Sequence, residues 1–301
     1  MRKKIGLILV ALVLVALVWY LFIKPNDYTV RFHTKASTGT VNQIAKFWVN
    51  QNENAYFVTQ NNLGDFTHIQ SLNDTSLTYN WQVTRLNDST SQVKVYITDQ
   101  ENSLINRILI PFLDTDFEKR SKNTVKEVFD LLNSHLSNFK TNVLGEAIIP
   151  EKYCACIPLK STQLEKVKGM MENYAKLSGF IAKNNIELDG RPMVAIEKWD
   201  VQKDSITYNF CFPIIKSDSL PQKEGIFYKR IEEQKALKAI YNGNYLTSDR
   251  AWYALLDYAA KKKLTVSKTP IEVFHTNPNM GGNELEWKAE IFMPLQAQES
   301  E

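Results

Sequence analysis

The sequence predicts an α+β protein in which an N-terminal apolar helix precedes two domains, each built on an antiparallel sheet. An uncharged run from Ile5 to Ile23 opens the chain. Short period-two segments lie between helical segments over residues 28–148, and a β-α-β-β pattern occurs twice over residues 149–296. We therefore expect an anchor and linker at residues 1–27, two domains with those bounds, and a tail at residues 297–301.

Length and charge narrow the possible partners. The 301 residues are enough for two cores of ordinary size, and 44% of them are hydrophobic. The 36 basic and 33 acidic residues are spread along the chain, without a Lys/Arg block that could follow a phosphate backbone. We expect no direct contact with nucleic acid.

The N-terminal run predicts a membrane helix. Arg2, Lys3 and Lys4 precede it, and a helix over residues 5–23 spans roughly 28 Å, close to the thickness of the bilayer hydrocarbon. The basic flank favours a cytoplasmic N-terminus. We expect a single-pass inner-membrane protein of a bacterial cell with both domains outside the cytoplasm. A cleaved signal peptide is the alternative, but the run is longer than a usual signal core and has no small-residue cleavage site.

Three cysteines, Cys154, Cys156 and Cys211, do not settle the compartment. Their odd number leaves at least one unpaired in an oxidising environment. We expect them to be small apolar residues of a sheet, with a metal or redox site as the alternative.

The first domain begins with a strand at Tyr28–Thr34 and a helix at Gly39–Asn50, and it ends with a long helix at Asp116–Asn138. Between the helices we predict short strands, the last at Ile105–Pro111, with turns that include Asn73-Asp74 and Asn87-Asp88-Ser89. This order resembles the helix-grip fold of the START-like, SRPBCC or polyketide-cyclase superfamily. The resemblance implies an apolar cavity for a hydrophobic ligand.

The second half contains a duplication. A strand, a helix at Gln163–Asn184 and a hairpin are followed by a strand at Phe227–Tyr241, a helix at Thr247–Lys263 and another hairpin. Pro192 and Pro213 recur as Pro270 and Pro294, at offsets of 78 and 81 residues. A tandem β-α-β-β unit explains this pattern.

Local motifs connect the tandem unit with a family. Tyr241-Asn242-Gly243-Asn244-Tyr245 resembles a G-x-Y loop, Thr269–Pro278 resembles a P-x-E-x-Y hairpin with Phe274 in place of Tyr, and Glu290–Leu295 matches an E-I-x-x-P-L strand. Residues 152–295 thus resemble the GyrI-like family, also called the effector-binding domain of AraC- and MerR-type regulators. The resemblance implies a small-molecule cleft between the two repeats.

Glu272 matches the glutamate that lies at the floor of that family cleft. The resemblance implies that it selects cationic aromatic ligands, or that it acts as a general acid or base. The hairpin Ile271–Pro278 contains no Lys or Arg to pair with it. We therefore expect Glu272→Gln to weaken the binding of cations by roughly 1–3 kcal/mol.

We predict a non-enzymatic small-molecule binder without a cofactor or a metal. Its ligand is hydrophobic or cationic and aromatic. A glutamate-dependent hydrolase of small electrophiles and a scaffold for protein contacts are the alternatives. The candidate ligand-binding residues are Glu272 and a set of aromatic side chains, which are Tyr208, Tyr245, Trp252, Phe274 and Trp287.

Overall fold

The computed structural model describes residues 2–72, 75–87 and 90–296. Met1, the predicted turns at Asn73-Asp74 and Asp88-Ser89, and the predicted tail at 297–301 lie outside these residues. The chain divides into two compact units, the first ending at Asn133 and the second beginning at Ser134.

Six α-helices occur in the described residues, and their bounds are α1 (Arg2–Val18), α2 (Thr38–Gln51), α3 (Ser103–Leu109), α4 (Asp116–Leu136), α5 (Lys166–Lys183) and α6 (Arg250–Lys262). A π-helical turn, Trp19–Ile23, continues α1. The 20 residues Lys4–Ile23 are long and apolar enough to cross a membrane, and none of them is buried. The predicted apolar N-terminal helix is therefore present.

The first unit contains a five-stranded antiparallel sheet with the order β1-β5-β4-β3-β2. The strands are β1 (Tyr28–Thr34), β2 (Ala55–Asn62), β3 (Asp65–Leu72), β4 (Thr75–Asn87) and β5 (Thr90–Asp99). The long helix α4 packs on this sheet, where Phe129 contacts Phe32 edge to face and Thr124 donates to Gln70. Sheet and helix together form the predicted helix-grip arrangement.

One predicted strand of this unit is wrong. Residues 105–111 were expected to be extended, but α3 covers most of them. Short apolar runs do not distinguish a strand from a helix by periodicity alone. Here the polar side chains favour the helix, because it places Asn106 and Arg107 side by side in the interior. There they donate hydrogen bonds to Asp99 and Asp27.

The second unit contains an eight-stranded antiparallel sheet with the order β10-β7-β9-β8-β12-β13-β11-β6. Its strands are β6 (Phe139–Ile149), β7 (Lys152–Thr162), β8 (Met193–Asp200), β9 (Ser205–Pro213), β10 (Phe227–Ile231), β11 (Gln234–Gly243), β12 (Ile271–Phe274) and β13 (Lys288–Pro294). The units β7-α5-β8-β9 and β11-α6-β12-β13 meet where β8 pairs with β12. The order is symmetric about that pairing, as the predicted duplication requires.

Two details of the sheet differ from the sequence prediction. Phe227–Tyr241 was expected to be one strand, but it holds two. β10 is an edge strand and pairs with β7, whereas β11 pairs with β6, the edge strand on the opposite side of the sheet. In addition, β6 pairs with β11, although the predicted boundary at residue 148 assigned nearly all of β6 to the first domain. An edge strand takes its partner from tertiary pairing, which local sequence does not encode.

The three cysteines were expected to be small apolar residues of the sheet, but two of them form a disulfide. Cys156 and Cys211 lie opposite each other on β7 and β9 and form a disulfide. Cys154 is a free and buried thiol that contacts Met193. Burial raises the pKa of the Cys154 thiol to about 12, so it is protonated and unreactive at neutral pH.

Candidate functional site

Glu272 lies at the centre of the eight-stranded sheet. It sits on β12 opposite Val194 of β8, at the junction of the two repeats. Its relative exposure is 0%. A carboxylate at this depth requires charged or hydrogen-bonding partners.

Lys166, in the first turn of α5, supplies the partner charge. Its Nζ lies 2.5 Å from Oε2 of Glu272, and both side chains are at most 1% exposed. The expectation that Glu272 has no fixed cationic partner is therefore wrong. Lys166 belongs to the other repeat, 106 residues earlier, so inspection of the hairpin alone could not find it.

Two further side chains complete the surroundings of the carboxylate. Trp252 of α6 donates from Nε1 to Oε1 of Glu272 at 2.7 Å, and Oγ of Ser248 lies 3.0 Å from the same oxygen. Lys166 also donates to Ser248 at 2.8 Å, and its Nζ lies 4.7 Å from the centre of the Trp252 ring. These four residues, Lys166, Ser248, Trp252 and Glu272, form a closed polar cluster, which we call the central cluster.

A second set of buried hydrogen bonds fixes the start of α5 relative to α6. Gln163 donates to Asp249 and to the Tyr253 hydroxyl, both at 2.9 Å, and accepts from Trp199 Nε1 at 2.9 Å. Arg250 pairs with Asp249. Because Gln163, Asp249 and Arg250 lie at the starts of α5 and α6, these contacts hold Lys166 and Ser248 in position around Glu272.

An aromatic cleft of about 240 Å³ lies between the first three turns of α5 and the segment that follows β12. Its apolar lining comes from both repeats and consists of Val167, Met170, Met171, Tyr174, Pro192, Phe210, Tyr245, Phe274 and Pro278. The polar lining consists of Arg191, His275, Thr276, Asn277 and Asn279. The central cluster is adjacent, since Lys166 precedes Val167 and Glu272 shares a face of β12 with Phe274.

Tyr245 and Phe274 are the two predicted site residues that line the cleft. Their rings are 4.7 Å apart. The Tyr245 hydroxyl donates to the Lys288 carbonyl at 2.8 Å, which fixes the ring against β13. Gly243 allows this loop to form, because its φ is +153° and an added Cβ would lie 2.7 Å from the Tyr241 hydroxyl.

The other four predicted site residues do not line the cleft. Glu272 and Trp252 belong to the central cluster, and Tyr208 is fully buried and donates to the Lys166 carbonyl at 3.0 Å. Trp287 is half-buried, with its ring 6.0 Å from that of Tyr245. Glu272, Trp252 and Tyr208 are therefore buried residues of the domain core. Trp287 lies outside the cleft lining and contacts the ring of Tyr245.

The cleft has a neutral to positive lining. None of the described residues that line it is acidic, and Arg191 is exposed at its edge. Burial is the largest cause that lowers the pKa of His275, and Lys288 and Arg191 lower it further while Glu290 raises it. His275 is therefore neutral at pH 7, and Arg191 provides the formal charge of the lining.

Part of this lining could be found from the sequence. Val167, Met171 and Tyr174 have the spacing of one face of the predicted helix, and Arg191 directly precedes Pro192, one of the repeated prolines. Their spacing alone does not separate a cleft from a core. The sequence does not indicate that Lys166 is buried or that it pairs with Glu272, because a lysine at the start of a helix is usually exposed.

The first unit has a smaller cavity of about 200 Å³, lined in part by Leu77, Ile105 and Phe117. Deeper in this unit, His68 is fully buried, accepts from Trp81 Nε1 at 3.0 Å and stacks on Tyr79. Burial lowers the pKa of His68 to about 3. His68 is therefore a neutral core residue.

Comparison with protein families identifies the domain type of the second half of the chain. The model of the GyrI-like small molecule binding domain matches residues 149–296. Residues 149–296 are a GyrI-like domain. No curated protein matches the chain.

Solved structures resemble the chain only distantly. The EcmrR C-terminal domain is 14% identical, with 52% of this chain and 98% of that chain covered and a TM-score of 0.41. SAV2435 bound to tetraphenylphosphonium is 13% identical, with coverage of 54% and 95% and a TM-score of 0.36. The di-domain ARO/CYC BexL is 8% identical, with coverage of 89% and 85% and a TM-score of 0.26.

Proposed function

We propose that this chain is a membrane-anchored small-molecule binding protein whose ligand occupies the aromatic cleft of the GyrI-like domain. The cleft itself carries the proposal. It is concave, mostly apolar and edged by a few polar side chains, which are usual features of a small-molecule site, and its volume is about 240 Å³. The ligand is a neutral or anionic aromatic compound.

The charge of the ligand follows from the central cluster. A buried carboxylate attracts a cation when nothing else compensates it. Here Lys166 compensates Glu272 at 2.5 Å, and Ser248 and Trp252 occupy its remaining hydrogen-bonding positions. An organic cation would therefore gain little from Glu272 and would meet Arg191 at the edge of the cleft.

The proposed location is outside the cytoplasm, with Lys4–Ile23 crossing the inner membrane. The length and composition of that helix support the anchor, and Arg2, Lys3 and Lys4 favour a cytoplasmic N-terminus. The disulfide between Cys156 and Cys211 supports the same location, because disulfides persist in oxidising compartments.

No feature of the cleft favours the hydrolase alternative. Glu272 lies outside the cleft lining, and its oxygens are engaged by three side chains. A general base needs to reach the proton that it abstracts. The scaffold alternative predicts that no ligand enters the cleft, so a binding experiment decides it.

To test the proposal, a larger side chain is introduced on α5 so that it fills the cleft. Met171 is 39% exposed and lines the cleft, so Met171→Trp fills the cleft without disturbing the core. Binding of neutral 2-naphthamide to the full-length protein in lipid nanodiscs is measured by equilibrium dialysis, with empty nanodiscs as the blank. We expect saturable binding to the wild type and at least a tenfold loss of affinity in Met171→Trp.

Leu164→Trp is the matched control. Leu164 is 56% exposed, lies just before α5 and does not line the cleft. This variant adds the same side chain to the same part of the fold and should bind like the wild type. Equal binding by all three proteins would place the ligand elsewhere, and failure of the wild type to bind any aromatic compound would favour the scaffold.

A further inference from the structure

The helix α3 of the first unit has its polar and apolar faces reversed relative to a helix on a soluble surface. It buries Asn106 and Arg107, which are 7% and 6% exposed. It exposes Leu104, Ile105 and Ile108, which are 43%, 57% and 47% exposed. An exposed apolar patch of this kind marks an interaction surface.

The segment that follows α3 extends the patch. Phe112 is 82% exposed and Leu113 is 58% exposed, the former among the highest values for a large apolar side chain in the described residues. Asp114 comes next, exposed and paired with Lys119, and marks the edge of the patch. We call the five residues Leu104, Ile105, Ile108, Phe112 and Leu113 the α3 patch.

Buried polar contacts fix the α3 patch against the end of the apolar N-terminal helix. Arg107 Nη1 donates to the Leu21 carbonyl at 3.0 Å, a group that the helix end leaves without an intrahelical partner. Arg107 Nε pairs with Asp27 at 2.6 Å, and Asp27 also accepts from Ser103 at 2.6 Å. The position of α3 beside the π-helical turn is therefore fixed.

We propose that the α3 patch inserts into the interfacial region of the lipid bilayer that Lys4–Ile23 crosses, and so seats the first unit on the membrane surface. The helix end to which α3 is fixed lies at that interface, where Trp19 and Tyr20 are suited to the headgroup region. The patch is thus continuous with the apolar surface of the span. The occupant is lipid, because the bilayer is the apolar phase next to this helix end.

This inference rests on the proposed membrane anchor, and site-directed spin labelling separates the two. Single cysteines are introduced at Phe112, at Val13 within the span and at Val58 on β2. All three are exposed side chains, whereas the native Cys154 is buried and the other two cysteines are paired. The full-length protein is labelled in proteoliposomes, and the collision rates of each nitroxide with oxygen and with a water-soluble nickel chelate are measured.

We expect the labels at Phe112→Cys and Val13→Cys to collide mainly with oxygen, and the label at Val58→Cys mainly with the nickel chelate. A label at Val13 in lipid and a label at Phe112 in water would overturn the inference and leave the anchor intact. A label at Val13 in water would overturn the anchor and the inference with it. Lipid exposure of the label at Val58 would also contradict the assignment, because insertion would not be specific to the α3 patch.

Discussion

The Nζ of Lys166 lies 2.5 Å from the carboxylate of Glu272, and the two residues come from opposite repeats of the duplicated domain. The glutamate that a binding site would offer to a cation is thus already paired within the protein. Of the two kinds of ligand expected from the sequence, hydrophobic or cationic and aromatic, this relationship argues against the cation, and the proposed ligand is a neutral or anionic compound. It also makes the pair a structural link between α5 and β12.

Removal of the lysine charge should strongly destabilise the GyrI-like domain. Lys166→Met leaves the Glu272 carboxylate buried without its cation, which costs about 3–5 kcal/mol. Glu272→Gln in the same chain removes the unpaired charge, so the double variant should recover most of that loss. Urea unfolding with amide hydrogen exchange on β12 measures the change for this domain.

An exposed pair in the same domain serves as the control for this prediction. Lys152 and Asp189 form an ion pair at 2.7 Å, with side chains 26% and 49% exposed. Lys152→Met should therefore cost less than about 1 kcal/mol. Equal effects of Lys166→Met and Lys152→Met would mean that the buried pair does not stabilise this domain.

The disulfide should be present in protein isolated from cells under non-reducing conditions. One alkylatable thiol per chain is expected after denaturation, that of Cys154. Replacement of both Cys156 and Cys211 by Ala should lower the free energy of unfolding by about 2–4 kcal/mol, since the bond closes a long loop. Intact-mass analysis after alkylation gives the first result, and three reactive thiols would contradict both the disulfide and its support for an extracytoplasmic location.

Acid should destabilise the first unit through His68. Its pKa is about 3 in the folded state and ordinarily 6.5, so the unfolded chain binds more protons between these values. The stabilisation is complete above pH 6.5 and is lost as the pH falls toward 3. Between pH 7.5 and pH 5 we expect a loss of roughly 1–2 kcal/mol that His68→Gln abolishes.

Hydrogen exchange on β3 and β4 at the two pH values measures this effect locally. Glutamine keeps an acceptor for Trp81 Nε1, so the variant should remain folded. The same pH dependence in His68→Gln and in the wild type would show that other groups cause it.

Arg191 should contribute to the recognition of anions. It is exposed, so its attraction for a ligand carboxylate is worth about 1 kcal/mol or less. Arg191→Gln should weaken the binding of 2-naphthoate by about two- to fivefold and leave 2-naphthamide unchanged. Equal losses for both compounds would indicate that Arg191 acts through packing and not through charge.

The sequence was sufficient for the elements with strong periodicity. The uncharged run, α2, α4 and the duplicated unit follow from local pattern, and the prolines at both repeats fix the register of the duplication. Ile105–Pro111 was mistaken for a strand because its short apolar run fits either element, and the partner that buries Arg107, Asp27, lies 80 residues earlier. β6 was missed because its partner, β11, lies about a hundred residues further along the chain.

The sequence predicted the part of the domain that contains the cleft, but not most of the residues that line it. Tyr245 and Phe274 line the cleft, but Tyr208, Trp252 and Glu272 are buried beside it. An aromatic stripe has the same spacing whether it faces a cleft or a core. Lys166 could not be assigned to Glu272, because only the folded sheet brings α5 over β12.

The preference of the cleft for ligand charge shows whether Lys166 keeps Glu272 from binding a ligand. Titration calorimetry of the full-length protein in nanodiscs compares three naphthalene compounds that carry an amide, a carboxylate or a trimethylammonium group. We predict that the amide and the carboxylate bind, that the ammonium compound binds at least tenfold more weakly, and that Met171→Trp abolishes the first two. Tightest binding of the ammonium compound, lost in Glu272→Gln, would contradict the account, because Glu272 would then be available to a ligand despite Lys166.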